Sequence, residues 1–291
     1  MKRDHSRELE TVNCPYCNES RSFPWANENG FTAVKCASCG IVYVNPRPIA
    51  SVIRAAVRTG VHDEWGHAGK AIEHRMASKV FRYKNILAYM FDDVWESSRS
   101  VIWLDVGAGY GELIEAVGSL AAPGSRIEGI EPMIPKVVHA RARGLAIREA
   151  FLGDVQDRYD FVSLINIFSH IADFRMFLSD VKRILSEKGE LLIETGTAGD
   201  LESSHDVPTE LDLPNHLVFA GEKHIMGYLS EAGFSIVRIK RMRRDGLINF
   251  VKNVVKRMIG RKVSLRVPYT SLHRSIIVRA RLKSAETMGQ K

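Results

Sequence analysis

From Ser100 onward, apolar β-branched runs alternate with stretches whose apolar residues recur at helical spacing, and this alternation restricts the fold more than any other feature. Strands are predicted at 101–106, 126–131, 145–149, 159–166 and 189–195, with helices near 110–120, 134–143 and 173–186 between most of them. Such an order implies a mostly parallel sheet covered by helices on both faces. A helix near 222–232 then leads to "FSIVRIKRM" and, after an insertion, to "HRSIIVRARLK". These two strands need no crossover helix, so they are expected as an antiparallel hairpin on the sheet edge. The expected fold is therefore α/β, a doubly wound, Rossmann-like sheet of seven strands. A chain of 291 residues with 45% hydrophobic content can bury that core and still carry a small satellite.

The satellite is written in the cysteines. All four lie in the first 40 residues, as Cys14 and Cys17 in "CPYC" and Cys36 and Cys39 in "CASCG", with 18 residues between the pairs. That spacing is the pattern of a zinc ribbon, in which two knuckle turns bring four thiolates to a tetrahedral ion. Two disulfides are the competing reading, but two-residue gaps suit chelating turns better than bridges between distant segments. Four thiolates fill the ion's coordination, so its role is expected to be structural. The next segment, "GIVYVNPRP", reads as a short strand stopped by prolines, which ends the ribbon near residue 48. Domains are thus expected at 1–48 (ribbon), 49–99 (helical linker or lid) and 100–291 (the α/β domain). Within the linker, Ile72, Met76, Val80, Phe81, Tyr83, Leu87 and Met90 fall at helical spacing and are expected to pack in a core.

The charged start "MKRDHSRELE" leads into no apolar run, and no stretch of about 18 apolar residues suggests a membrane span. A cytoplasmic protein is expected. The net charge of +7 admits an anionic partner without choosing one.

In "WLDVGAGYGE" (103–112) the first strand runs into Gly107 and Gly109, where the missing Cβ permits a sharp reversal and a ligand's close approach. A nicotinamide or flavin fingerprint sets its last glycine three residues after the second; here Gly111 follows after two. Asp105 precedes the turn, and a carboxylate there accepts from an ammonium group, which nicotinamide cofactors lack. The second strand ends in "GIEP", which places Glu131 to accept from the two hydroxyls of an adenosine ribose. Asn166, ending the fourth strand, faces the ligand crevice of such a sheet. The competing reading makes Asp105 an Asx-type turn residue, Glu131 a solvated strand end and Asn166 a strand-end cap.

Together these residues resemble the class I S-adenosylmethionine-dependent methyltransferases, whose first motif sets an acidic residue before a G-x-G-x-G turn and whose second strand ends in an acidic ribose ligand. "YDFVSLINIFSHIADFRMFLSDVKRILSEKGELLIET" is similar to that family's fourth strand, turn, helix and fifth strand. The resemblance covers about residues 100–240. It implies S-adenosylmethionine as cofactor, held by Asp105, Gly107, Gly109, Glu131 and Asn166, with Asp154 or its neighbours in "FLGD" near the adenine. With the ribbon and the late "NHLVFAGEKHIMGYLSEAGF" included, the chain resembles a branch that methylates sugars and cell-surface polysaccharides. There a histidine followed by an aromatic lies at the substrate mouth, matched here by His216 and Phe219. Some sugar C-methyltransferases carry a second histidine two positions earlier, where this chain has Pro214, so the resemblance implies transfer to oxygen.

Methylating a hydroxyl needs positioning and a general base, and histidine titrates near neutrality. His216 is the first candidate base and His170, just past the fourth strand, the second. The plain alternative is a hydrogen-bonding loop histidine, one of ten in the chain. Two other functions compete: an RNA base methyltransferase, and a non-catalytic S-adenosylmethionine-binding scaffold. The ribbon segment "NESRSFPWANENGFTAV" has one arginine and no lysine, which makes nucleic acid the poorer partner; the intact glycine turn disfavours the scaffold. Finally, the insertion 245–262 reads as a basic amphipathic helix. Its apolar face is Leu247, Ile248, Phe250, Val251, Val254, Val255, Met258 and Ile259, and its cations are Lys252, Lys256, Arg257, Arg261 and Lys262. It suits the peripheral surface of an anionic membrane carrying a lipid-linked acceptor, or else a lid or dimer contact.

Overall fold

The computed structural model describes residues 8–59, 75–204, 207, 211–243, 247–261 and 274–283. Five short strands open the chain: β1 (Leu9–Glu10), β2 (Ser22–Glu28), β3 (Phe31–Cys36), β4 (Val42–Val44) and β5 (Arg47–Pro48). β2 and β3 are joined by Asn29 and Gly30, both at positive φ (53° and 81°), the two-residue turn that asparagine and glycine favour in hairpins. β4 continues the antiparallel sheet, while β1 and β5 pair separately.

Among the described residues, three helices follow: α1 (Ala50–Thr59), α2 (Ala77–Met90) and α3 (Asp92–Glu96). α2 buries Tyr83, Ile86, Leu87 and Met90, one stripe at helical spacing, against Trp103, Leu113 and Phe161. Two expectations fail here: Met76 and Phe81 are exposed. Phe81 lies two positions from Tyr83 and so on the opposite side of the helix, while Met76 only precedes its first turn. Ile72 lies outside the described residues.

The α/β unit runs β6 (Ile102–Val106), α4 (Glu112–Gly118), β7 (Arg126–Ile130), α5 (Ile134–Arg141), β8 (Ile147–Arg148), β9 (Tyr159–Ile165), α6 (Phe174–Ile184), β10 (Leu185–Gly196), β11 (Val218–Phe219), α7 (Glu222–Glu231), β12 (Phe234–Arg243), α8 (Leu247–Met258) and β13 (Arg274–Leu282). Its seven-stranded sheet has the order β12-β13-β10-β9-β6-β7-β8. The last five in this order are parallel, and β13 is antiparallel to both β10 and β12, so the expected terminal hairpin is present. The chain winds outward from β6 to β8, then returns to β9 on the other side. That reversal opens a crevice beyond the C-terminal ends of β6 and β9. On β13, buried Arg279 bonds Glu190, Asp93 (2.9 Å) and the Met90 carbonyl (2.8 Å), clamping α2 and α3 to the sheet.

The ribbon shares the core of the α/β unit. Its sheet takes a fourth strand, β11, from residues 218–219, and Cys14, Val34, Ile41 and Tyr43 lie in one hydrophobic cluster with Leu164, Ile193, Ile225 and Tyr228. Among the described residues no helix is long and apolar enough to cross a membrane.

Candidate active site

The turn after β6 is built around backbone that only glycine tolerates. Gly107 and Ala108 donate to the Ile130 carbonyl (2.8 and 3.0 Å), which folds the turn back over β7. Gly107 has φ +71°, and a Cβ there would lie 2.6 Å from Ile167 Cγ2. At Gly109 (φ +55°) a Cβ would meet nothing within 4 Å, so this stretch of backbone is open to a ligand. The Gly109 N–H donates to Glu131 Oε2 (2.9 Å) and the Met133 N–H to Oε1 (3.0 Å). Glu131 is thereby fixed at the end of β7, with a lone pair on each oxygen left for hydroxyl donors.

Asp105 is buried beside this turn and accepts the Ser163 hydroxyl at 2.7 Å; Ser163 in turn accepts the Trp103 indole N–H at 3.0 Å. Burial, reinforced by the charges of Glu131 and Glu112 and opposed by the Ser163 bond, holds the Asp105 carboxyl up at about 7. Such a group becomes a stable carboxylate when a cation sits against it. Ser163 was not anticipated; its signal is a lone polar residue inside the apolar run "YDFVSLI".

The opposite wall carries the histidines. His170 Nδ1 is 2.8 Å from the Asn215 carbonyl, and His216 Nδ1 is 2.8 Å from the Leu211 carbonyl. A carbonyl can only accept, so each neutral ring keeps its proton on Nδ1 and leaves Nε2 as the basic nitrogen. The ring centroids are 4.7 Å apart, and Phe219 meets His216 edge to face at 6.0 Å. Burial first, then the neighbouring His216, pushes His170 down to about 4. Asn166, with φ +56°, has its N–H on the Glu194 carbonyl (2.8 Å) at the end of β9.

A single cleft of about 1130 Å³ is lined by Asp105, Gly107, Gly109, Glu131, Asn166, His170, His216 and Phe219. The structure thus brings together every cleft residue expected from sequence except Asp154. That residue is exposed, and its carboxylate accepts the Phe151 N–H at 3.0 Å. A short aspartate satisfies its own turn at this spacing, and its neighbours Phe151 and Leu152 line the cleft instead. Tyr83 of α2, expected only as core, also lines the cleft.

The four cysteines form a separate centre. Their Sγ atoms all lie within 4.8 Å of one another, with Cys14–Cys39 and Cys17–Cys36 each at 3.5 Å. The Cys17 and Cys39 N–H groups point at Cys14 and Cys36 sulfur (3.5 Å each), as knuckle turns require. A tetrahedral zinc with Zn–S of about 2.3 Å sets its sulfurs roughly 3.8 Å apart, so the set fits that ion. Burial pushes the Cys14 thiol up to about 11, while backbone and neighbouring-thiol hydrogen bonds bring Cys36 down to about 7.

α8 exposes Leu247, Val251, Val255 and Met258 on one face, and Ile259, directly after its end, is exposed as well. Residues 245, 246 and 262 of the expected helix lie outside the described residues, as does the side chain of Ile248.

The sequence matches the model of the methyltransferase domain family over residues 73–239. No curated protein matches it. Among solved structures it is similar to geranyl diphosphate C-methyltransferase from Streptomyces coelicolor A3(2), in complex with Mg²⁺, geranyl diphosphate and S-adenosyl-L-homocysteine. The two are 14% identical with a TM-score of 0.50, over 73% of this chain and 86% of that one. It is also similar to the [4+2]-cyclase SpnF (17% identity, TM-score 0.50, 70% of this chain and 82% of that chain). One scaffold thus carries different chemistries, and likeness at this level speaks for the fold alone.

Proposed function

Because this chain belongs to the methyltransferase domain family and is an S-adenosylmethionine-dependent methyltransferase, we propose that it methylates a hydroxyl of a sugar or sugar-like acceptor, with His216 as the general base. The observation that carries this reading is His216 itself. It lines the same cleft as Asp105 and Glu131, with Nδ1 committed to the Leu211 carbonyl and Nε2 left as the base.

The cofactor's requirements fit the residues present. Asp105 suits its ammonium group and Glu131 its ribose hydroxyls, while the glycine turn leaves room for close approach. When bound, S-adenosylmethionine supplies an electrophilic methyl group. The chain's own work is to orient the acceptor and to move one proton. His216 Nε2 takes the acceptor's hydroxyl proton, and the Leu211 carbonyl stabilises the resulting imidazolium through Nδ1–H. His170, pushed down to about 4 by burial and by His216, is neutral at neutral pH and is the second candidate for the base. Phe219 beside the base offers an apolar face suited to a sugar ring.

The cysteine set is proposed to hold one structural zinc through Cys14, Cys17, Cys36 and Cys39, with no open position for chemistry. Nucleic acid is the weaker partner. Three ribbon groups suited to it are already engaged: Lys35 and Trp25 are bonded to the carbonyls of Leu201 (2.8 Å) and Glu202 (3.3 Å), and Arg21 is paired with Glu19. For α8 the proposed partner is an anionic lipid surface, supported by its exposed apolar face flanked by Lys252, Lys256 and Arg257. Phosphatidylglycerol vesicles should sediment the protein and phosphatidylcholine vesicles should not; equal behaviour in both overturns that contact.

The deciding experiment supplies labelled cofactor with a panel of nucleotide sugars, glycans and RNA. Label on a sugar oxygen is expected. Label confined to RNA would overturn the acceptor class.

A further inference from the structure

We propose that Glu28 of the ribbon is a positioning residue for the base: its carboxylate shapes the 211–216 loop and, through that loop, fixes the orientation and tautomer of both His216 and His170. The inference rests on reading His216 as the base.

Glu28 is the last residue of β2, next to the Asn29-Gly30 turn. Its Oε2 accepts the N–H of Leu211 (2.8 Å), and its Oε1 accepts those of Asp212 (2.6 Å) and Leu213 (3.2 Å). Asn29 adds a bond from Nδ2 to the Leu213 carbonyl at 2.8 Å. One anion therefore gathers three consecutive backbone N–H groups from a segment more than 180 residues away, a nest closed by charge-assisted bonds. Asp212 sits at φ +62°, a left-handed conformation that the surrounding bonds must impose.

Both imidazoles depend on the loop so held. Leu211 offers its carbonyl to His216 Nδ1 and its N–H to Glu28, so a single peptide-linked residue connects the carboxylate to the ring. Asn215 offers its carbonyl to His170 Nδ1, and its side-chain Nδ2 donates to Asp212 Oδ2 at 2.8 Å. The His216 N–H returns to the Asp212 carbonyl at 2.9 Å. β11, directly after the loop, is paired to β4 of the same ribbon. The ribbon therefore acts as the template on which the histidine wall of the cleft is cast. Glu28 does not line the cleft, so its influence runs through the loop alone.

The test uses the full-length, zinc-loaded protein carrying Glu28→Gln, whose amide presents N–H groups where the loop needs an acceptor. Turnover is measured with labelled S-adenosylmethionine and the acceptor that takes label in the panel above. We expect kcat to fall on the order of 10²-fold, the scale for misplacing a reacting group by about 1 Å. KM for the cofactor, affinity for S-adenosylhomocysteine and zinc content should be unchanged. ¹⁵N NMR should show the His216 and His170 rings shifting from the Nδ1–H tautomer toward a mixture. Unchanged tautomers overturn the proposal. A tautomer shift without loss of kcat also overturns it, and His216→Ala then locates the failure: full turnover there means the base was misassigned, impaired turnover means Glu28 does not position it. If Glu28→Gln does not fold, the wild-type protein decides. The proposal requires Nδ1–H on both rings and slow amide exchange at residues 211–213, and Nε2–H rings or fast exchange refute it.

Discussion

The two walls of the cleft are made in different ways. The proposed cofactor wall comes from one stretch: Asp105, Gly107, Gly109 and Glu131 lie within a single β-turn-α-β passage, and the bond from Gly109 to Glu131 spans 22 residues. The histidine wall is assembled from three distant stretches. His170 reaches Asn215 across 45 residues, and the loop between them is held by Glu28 across 183 to 185. The first wall follows from a motif. The second exists only when the ribbon, the end of β9 and the late loop are already packed together. Damage to the ribbon should therefore strike turnover while sparing the cofactor, and damage to the glycine turn should do the reverse.

The largest effect should come from the metal. Structural zinc contributes about 10–16 kcal/mol to isolated zinc-finger peptides; here the ribbon also shares the main core, so chelation or Cys36→Ser should release the two knuckle turns and abolish turnover without unfolding the α/β unit. Metal analysis should give one zinc per wild-type chain and none in the variant. Calorimetry should still find S-adenosylhomocysteine binding; its complete loss would show that the two walls are not separable.

Next in size is the base. His216→Ala should lower turnover about 10²- to 10⁴-fold with cofactor affinity nearly unchanged. Full turnover in that variant would pass the role to His170, and full turnover in both would leave proton removal to water or substrate.

On the cofactor wall, Glu131→Ala should weaken S-adenosylhomocysteine binding by about 1.5–3 kcal/mol, the cost of a lost charged hydrogen bond. Gly107→Val should impair it too, because its Cβ would press on Ile167 at a φ that valine avoids. Zinc content should hold in both variants. Unchanged affinity in both would mean that the cofactor lies elsewhere.

The smallest effect is on pH. Asp105 must lose its proton to bind an ammonium, and its carboxyl sits at about 7. Affinity for S-adenosylhomocysteine should therefore rise with pH through 7 and drop about tenfold from pH 8 to pH 6, one unit below that value. Stability of the free protein should run the other way. Between the ordinary aspartate value and about 7 the folded state binds more protons than the unfolded, so raising pH through this window costs stability. Asp105→Asn should flatten both trends, and a flat wild-type profile would show that Asp105 does not meet the ammonium.

Much of the fold was legible because its signals are local. Strand-helix alternation, the glycine turn and the paired cysteines each work within a few residues of chain, and all three appear where the sequence puts them. Where reading failed, a side chain had two local choices. Asp154 could face the cleft or close its own turn, and it closes the turn. Phe81 could join the apolar stripe of α2 or stand outside it, and the direction of the helix's approach to Trp103 and Phe161 selects Tyr83, Ile86 and Met90 instead.

By itself, then, the sequence determined the layered α/β architecture, the close set of four thiols and the glycine turn with Glu131 beside it, because each is encoded by periodicity or spacing that acts at short range. Tertiary structure alone decided that the ribbon shares the core, that β11 completes its sheet, and that Glu28 meets residues 211–213. The reason is physical: a carboxylate bonded to backbone N–H groups leaves no trace in the partner's side chains. Any residues at 211–213 other than proline would offer the same donors, so their identity cannot announce the contact.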